Sequence, residues 1–139
     1  KQSYPLIMTT LVVAAIIQDA NGNYLCAKRG DWKAAAGKWE FPGGKLEPGE
    51  TASQCIVREI REELAMNIQV EEEWPSTSHQ YTDFKIELIP LRCEADQTSP
   101  ILKEHQDFQW LDSESLFWVD WADADIPIRD KVAILLVSA

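Results

Sequence analysis

Cysteine is sparse in this chain: Cys26, Cys55 and Cys93 are the only three, far apart and without a CxxC pair. An odd number with no paired spacing supplies neither a disulfide framework nor a zinc site, and a reducing, cytoplasmic setting suits it. Positive charge is also short. Thirteen Lys and Arg face 23 Asp and Glu, a net charge of -10 with a pI near 4.6. Polyanions are repelled by such a surface, so a general grip on DNA or RNA is excluded, while a small anionic ligand stays open. No apolar run approaches the 18 to 20 residues of a membrane span. Repeats, low-complexity tracts and linkers are missing too. What remains is 139 residues with 45% hydrophobic and 26% charged side chains, ordinary globular values and the size of one domain spanning residues 1–139.

The opening stretch places a cation ahead of LVVAAII and so resembles a secretory signal. Its β-branched character, running into Asn21-Gly22-Asn23 and a second strand-like segment, reads instead as the first arm of a hairpin, Thr9–Gln18 with Tyr24–Arg29. The chain opens without methionine, which leaves room for residues ahead of Lys1. Trp39–Phe41 alternates like a short strand that Pro42-Gly43-Gly44 stops. Thr51 with Gln54 forms a capping-box pattern ahead of a helix over Ala52–Met66. Strands follow at Ile68–Trp74, His79–Tyr81, Phe84–Cys93 and Asp107–Leu111, with a turn at Thr82-Asp83. Ser113 is placed to cap a short turn through Trp118, and Pro127 to open a last helix reaching Ser138. Strands on both sides of one central helix, with a helix at the end, predict an α+β or α/β/α domain.

The central helix carries its carboxylates in unexpected places. With Ile56 at zero and about 100° per residue, Cys55, Ala52, Ile56, Ile60, Leu64 and Val57 fill an apolar arc. Glu63 falls near -20° and Glu59 near -60° on that scale, inside the arc, with Glu62 at its edge near -120°. Turning carboxylates away from water costs several kcal/mol unless something compensates. Arg58 can pair with Glu62 at i+4 and Arg61 points to solvent, leaving Glu59 and Glu63 short of positive charge. A hard divalent cation, which takes oxygen ligands and enters with a substrate phosphate, is the simplest remedy.

The spacing from Gly44 is Gly, five residues, Glu50, seven residues, then Arg58-Glu59-Ile60-Arg61-Glu62-Glu63. It resembles the Nudix box, G-x5-E-x7-R-E-U-x-E-E-x-G-U with U apolar. One position departs: Ala65 stands where the box has glycine, which touches the end of the helix rather than the acidic residues. The segments LCAKR, WEFPGGKLEPGE, KEHQDFQWL and WADADIP are likewise similar to MutT-type Nudix hydrolases of the CTP pyrophosphohydrolase branch.

That resemblance implies an α/β/α sandwich with a mixed sheet. It also implies hydrolysis of a nucleoside triphosphate, of the CTP, dCTP or oxidised kind, to monophosphate and pyrophosphate, with Mg²⁺ or Mn²⁺ as cofactor. Hydrolysis of another nucleoside diphosphate linked to X, such as ADP-ribose, and nucleotide sensing without turnover are the competing readings. The metal set implied is Gly43 through its carbonyl, Glu59, Glu62 and Glu63; the catalytic set is Glu59, Glu62, Glu104 and Arg58, the last orienting the glutamates. Glu50 is a metal-adjacent group by resemblance, or simply charge placed before a helix N-terminus.

Lys28, Arg29, Lys33, Lys38 and Lys45 set five cations against Asp31 and Glu40, a local +3 where phosphates should go. Arg29, Lys38, Lys45 and Asp125 form the implied substrate-binding set, Arg29 gripping phosphate and Asp125 reading the base edge. His105 is expected to be merely an exposed neighbour of Glu104. Tyr81, Phe84, Trp118 and Trp121 offer rings for stacking, though tryptophan in a small domain favours the core. Gly30–Lys38 mimics a phosphate loop, but six residues separate its glycines and Trp39 replaces the hydroxyl residue, so it is no Walker motif. A nucleotide is the expected partner, with no membrane or nucleic-acid polymer, for a monomer or homodimer.

Overall fold

The computed structural model describes residues 8–138. Two sheets form the middle of the molecule. The larger runs β4 (Gly43–Lys45), β1 (Met8–Ile17), β7 (Phe84–Ala95), β5 (Ile68–Glu73), with β6 (Thr77–Gln80) also on β7; the smaller runs β3 (Trp39–Glu40), β2 (Tyr24–Arg29), β8 (His105–Leu111). β1 lies parallel to β7 and antiparallel to β4, so the larger sheet is mixed.

The unbroken apolar run of β1 has a direct cause: both of its faces are covered. Val13, Ala15 and Ile17 pack with Cys55, Ile56, Ile60 and Leu64 of α1 (Ala52–Leu64), whereas Ala14 and Ile16 pack with Ile128, Val132 and Ala133 of α2 (Ile126–Ser138). The α/β/α sandwich and the mixed sheet follow as expected.

The hairpin does not. β1 and β2 share only the Gln18–Tyr24 bridge and then part into different sheets. Gly43-Gly44 does not simply end a strand either, since Gly43–Lys45 pairs with Val12–Ala14 as β4. A Cβ at Gly43 would lie 1.8 Å from the Val13 carbonyl oxygen, so only glycine lets the two strands approach this closely. Pro90 sits inside β7 where that edge passes from β6 to β5. Its carbonyl accepts from Trp74 N at 2.9 Å, so its missing N–H faces the gap between the two partners and no ladder bond is lost.

The capping box of α1 is complete, Gln54 N donating to Thr51 Oγ1 at 3.1 Å and Thr51 N to Gln54 Oε1 at 3.0 Å. At the other end Ala65 takes the left-handed conformation, φ 53°, that glycine would adopt more easily, and its N–H donates to Arg61 O. The short turn Ser115–Phe117 is capped by Asp112, which accepts from Ser115 N at 2.8 Å, and not by Ser113. α2 starts one residue before Pro127, after a turn of 3₁₀ helix over Asp123–Asp125.

Candidate active site

α1 points its C-terminal acidic residues at the junction of β4, β3 and the loop before β8. Glu59 presses on Gly44: a Cβ there would fall 2.3 Å from the Glu59 carboxyl carbon, so the bare backbone is a cradle for that carboxylate. Glu63 Oε2 is buried with no hydrogen-bond partner among the described residues. Burial, with Glu59 and Glu40 nearby, holds its carboxyl well above the usual carboxylate range. Both side chains face inward as the helical wheel predicts.

Arg58 does more than the sequence suggests. It grips Glu50 through two donors, Nε at 2.6 Å and Nη2 at 2.9 Å, while Nη1 reaches Glu59 at 2.9 Å and Glu62 at 3.2 Å. Glu59 is therefore not short of positive charge, and Glu63 alone is. Glu50 anchors Arg58 rather than merely charging a helix end, and that partnership lowers its own pKa to about 2. Among the described residues no three His, Cys, Asp or Glu side chains converge as a ready-made metal shell, and Arg58 pairs with both Glu59 and Glu62.

The chemistry of the donors nonetheless suits a hard cation. Glu63 offers an orphan oxygen beside the carboxylate cradled by Gly44, all donors are oxygen, and Gly43 is the neighbouring residue of β4. The loop 97–103 caps α1 from outside: Gln97 Nε2 donates to Ala65 O, Ile101 N to Leu64 O at 2.9 Å and Lys103 N to Glu63 O at 3.1 Å. Those bonds satisfy the last carbonyls of the helix and set Glu104 next to the Glu63 turn.

The cation-rich stretch is less free than its charge count implies. Arg29 pairs with Glu40 at 2.7 Å, Lys33 with Glu104 at 3.3 Å and Lys38 with Asp120 at 2.8 Å. Lys28 and exposed Lys45 make no ion pair among the described residues. Lys38 is thus engaged by the exposed carboxylate of Asp120. Asp125 is buried; its Oδ2 accepts from Phe41 N at 2.9 Å, and burial with Glu40 nearby raises its pKa well above the usual range. Phe41 packs on Trp121 in the core, whereas Trp118 is exposed. Tyr81 stacks on Phe84 at 4.8 Å, and burial first, then the charges of Asp123 and Asp125, raises its pKa.

Two further residues depart from the sequence reading. His105 is buried, its Nε2 2.8 Å from Glu40 Oε2, not an exposed neighbour. Glu40, read only as a charge offsetting the cations, links Arg29 to His105. A signal was present in the sequence: Gln106 and Asp107 are two polar residues in a row, which breaks a strand's alternation, and the structure has its bulge there.

An all-oxygen donor set on a helix facing a glycine strand suits a hard divalent cation and the phosphate-bearing substrates that hydrolases of this kind handle with one. The comparisons identify which: the NUDIX domain matches residues 12–130, and the chain belongs to that family, whose hydrolases generally depend on divalent metal. It is 38% identical over 124 residues to a CTP pyrophosphohydrolase of Escherichia coli, covering 89% of this chain and 91% of the relative. An 8-oxo-dGTP diphosphatase of the same species is 31% identical, with 87% and 94% covered. The solution structure of the E. coli ORF135 protein superposes with a TM-score of 0.79 at 34% identity, covering 98% and 96%.

Proposed function

We propose that this chain is a nucleoside triphosphate pyrophosphohydrolase, converting CTP, dCTP or an oxidised triphosphate with water to the nucleoside monophosphate and pyrophosphate. The observation that carries this is the inward pair Glu59 and Glu63, one cradled by Gly44 and the other with an orphan oxygen. Its support is the family and the names of relatives that cover nearly the whole chain.

Glu59, Glu62, Glu63 and the Gly43 carbonyl would hold Mg²⁺, with Mn²⁺ as a substitute. Bound there, a divalent cation would neutralise phosphate charge and lower the pKa of a water. Arg58 is a positioning residue, because it touches the carboxylates and draws its own orientation from Glu50. Glu104, half-exposed and paired with Lys33, would take the proton of the attacking water. Arg29 and Lys45 meet phosphate oxygens. Asp125 reads the base: ionised, it accepts from an exocyclic amino group such as cytosine N4, and protonated it also donates. The three buried free cysteines suit a reducing compartment, and no described helix is long and apolar enough to cross a membrane.

The test is a panel with Mg²⁺: CTP, dCTP, 5-methyl-dCTP, 8-oxo-dGTP, the common triphosphates and ADP-ribose, with all products quantified. Pyrophosphate plus monophosphate from a pyrimidine or oxidised triphosphate is expected. AMP plus ribose phosphate from ADP-ribose would move the enzyme to the other diphosphate-X branch, and tight binding without product would make it a sensor.

A further inference from the structure

β8 pairs with β2 in a register that slips by one residue at its start: Lys28 faces Asp107 but Arg29 faces His105, leaving Gln106 unpaired. That extra residue sets a side-chain direction. On β2, Leu25, Ala27 and Arg29 alternate onto the face turned to α1, and Glu40, opposite Ala27, shares it. Phe108 and Trp110 of β8 pack on that face as well. Phe108 lies three positions after His105, an odd offset, so in a regular strand His105 would point to the opposite face. The bulge turns it back, into contact with Glu40.

The result is a chain of three side chains. His105 Nε2 donates to Glu40 Oε2 at 2.8 Å, and Glu40 Oε1 accepts from Arg29 Nη1 at 2.7 Å. Arg29 Nε donates to Ala34 O at 2.7 Å. The guanidinium is fixed on two sides, and Nη2 has no hydrogen-bond partner among the described residues. A guanidinium anchored this way meets an oxyanion with its orientation already set, so less conformational entropy is lost on binding. Glu40 needs His105 for the same purpose: a carboxylate with only one partner can rotate, and both oxygens here are taken.

We propose that His105 is a positioning residue, aimed by the β8 bulge, which holds Arg29 through Glu40 in the orientation that receives a substrate phosphate oxygen. This rests on the reading of Arg29 as a phosphate contact. His105 supplies affinity without touching the reacting atoms, and the contact also ties β8, which carries Glu104 at its mouth, to the 30–38 loop.

Two near-isosteric variants separate this role from packing. In His105→Gln the amide nitrogen lies near the place of Nε2 and can still donate to Glu40; in His105→Asn it lies near Nδ1 and cannot. With CTP and Mg²⁺, Gln should keep KM within about twofold and Asn should raise it about tenfold with kcat nearly unchanged, the size expected for one hydrogen bond to a charged group. In an Arg29→Ala background the Asn and Gln variants should become equal. Independently of turnover, the Arg29 Nε–H signal in ¹⁵N NMR of the ligand-free protein should persist in Gln and broaden by exchange in Asn. Equal KM and equal NMR signals for the two variants, or a difference that survives Arg29→Ala, would overturn the role of His105. If Arg29→Ala alone leaves KM unchanged, the failure belongs to the reading of Arg29 instead.

Discussion

Asp125 is a buried residue whose backbone role is visible and whose proposed base contact is open to test. Its carboxylate fixes the Phe41 backbone and carries a raised pKa from burial. Because the folded protein holds that proton more tightly than the unfolded chain, the associated stability is full below the ordinary carboxylate range and is lost as pH rises. Asp125→Asn keeps an oxygen for Phe41 N–H and removes the charge. Its melting temperature relative to wild type should therefore climb between pH 4 and pH 8; a flat difference would contradict the assignment. The same change should lower kcat/KM for CTP about 10- to 100-fold by removing a base contact, measured against wild type under identical Mg²⁺. From sequence, Asp125 was visible only through resemblance, since an acid before a helix is equally a dipole partner. Glu59 and Glu63, in contrast, were legible from helical geometry alone. His105 was misread because the strand was started at Asp107, whereas β8 begins at His105 and its bulge turns that side chain inward.

Elements show where local rules met tertiary competition. The helix α1 was legible from end to end, capping box included, because its signals lie within a few residues of one another. Ala65 pays in strain for the left-handed cap that the family box assigns to glycine. Ala65→Gly should relieve about 1–2 kcal/mol of strain, less about 0.4–1 kcal/mol for the freer unfolded chain, for a net gain of about 0.5–1 kcal/mol. Calorimetry should show a melting temperature a few degrees higher, and a decrease would contradict the strain argument. At the other end Glu50 has its pKa lowered to about 2 by Arg58 and the Glu47 N–H. A depressed carboxylate contributes stability above its ordinary pKa and loses it as pH falls toward 2. The destabilisation of Glu50→Gln should thus be largest near neutrality and fade in acid, followed by urea melts at several pH values; a constant penalty would rule the ion pair out as its source. The expected hairpin of β1 and β2 failed for a reason outside both strands. An Asn-Gly turn marks a reversal, but only distant partners, β7 for one and β8 for the other, decide that the strands part into two sheets.

At the scale of the whole molecule, the sandwich joins a helix of carboxylates to a cation-bearing loop in a chain of net charge -10. Long-range ion pairs then spend most of those cations on internal partners, which no count along the sequence reveals. The layers were foreseeable from apolar runs covered on two faces; the pairing of charges across them was not. The central claim is that Glu59 and Glu63 support a cation-assisted attack of water on a triphosphate. It is tested most directly by ³¹P NMR of CTP with Mg²⁺, using wild type beside Glu59→Gln and Glu63→Gln. The account predicts CMP and pyrophosphate from the wild type and at least a hundredfold slower formation in each variant, the scale seen when a positioned catalytic group is removed. CDP and phosphate as products, or variants that turn over as fast as the wild type, would contradict it.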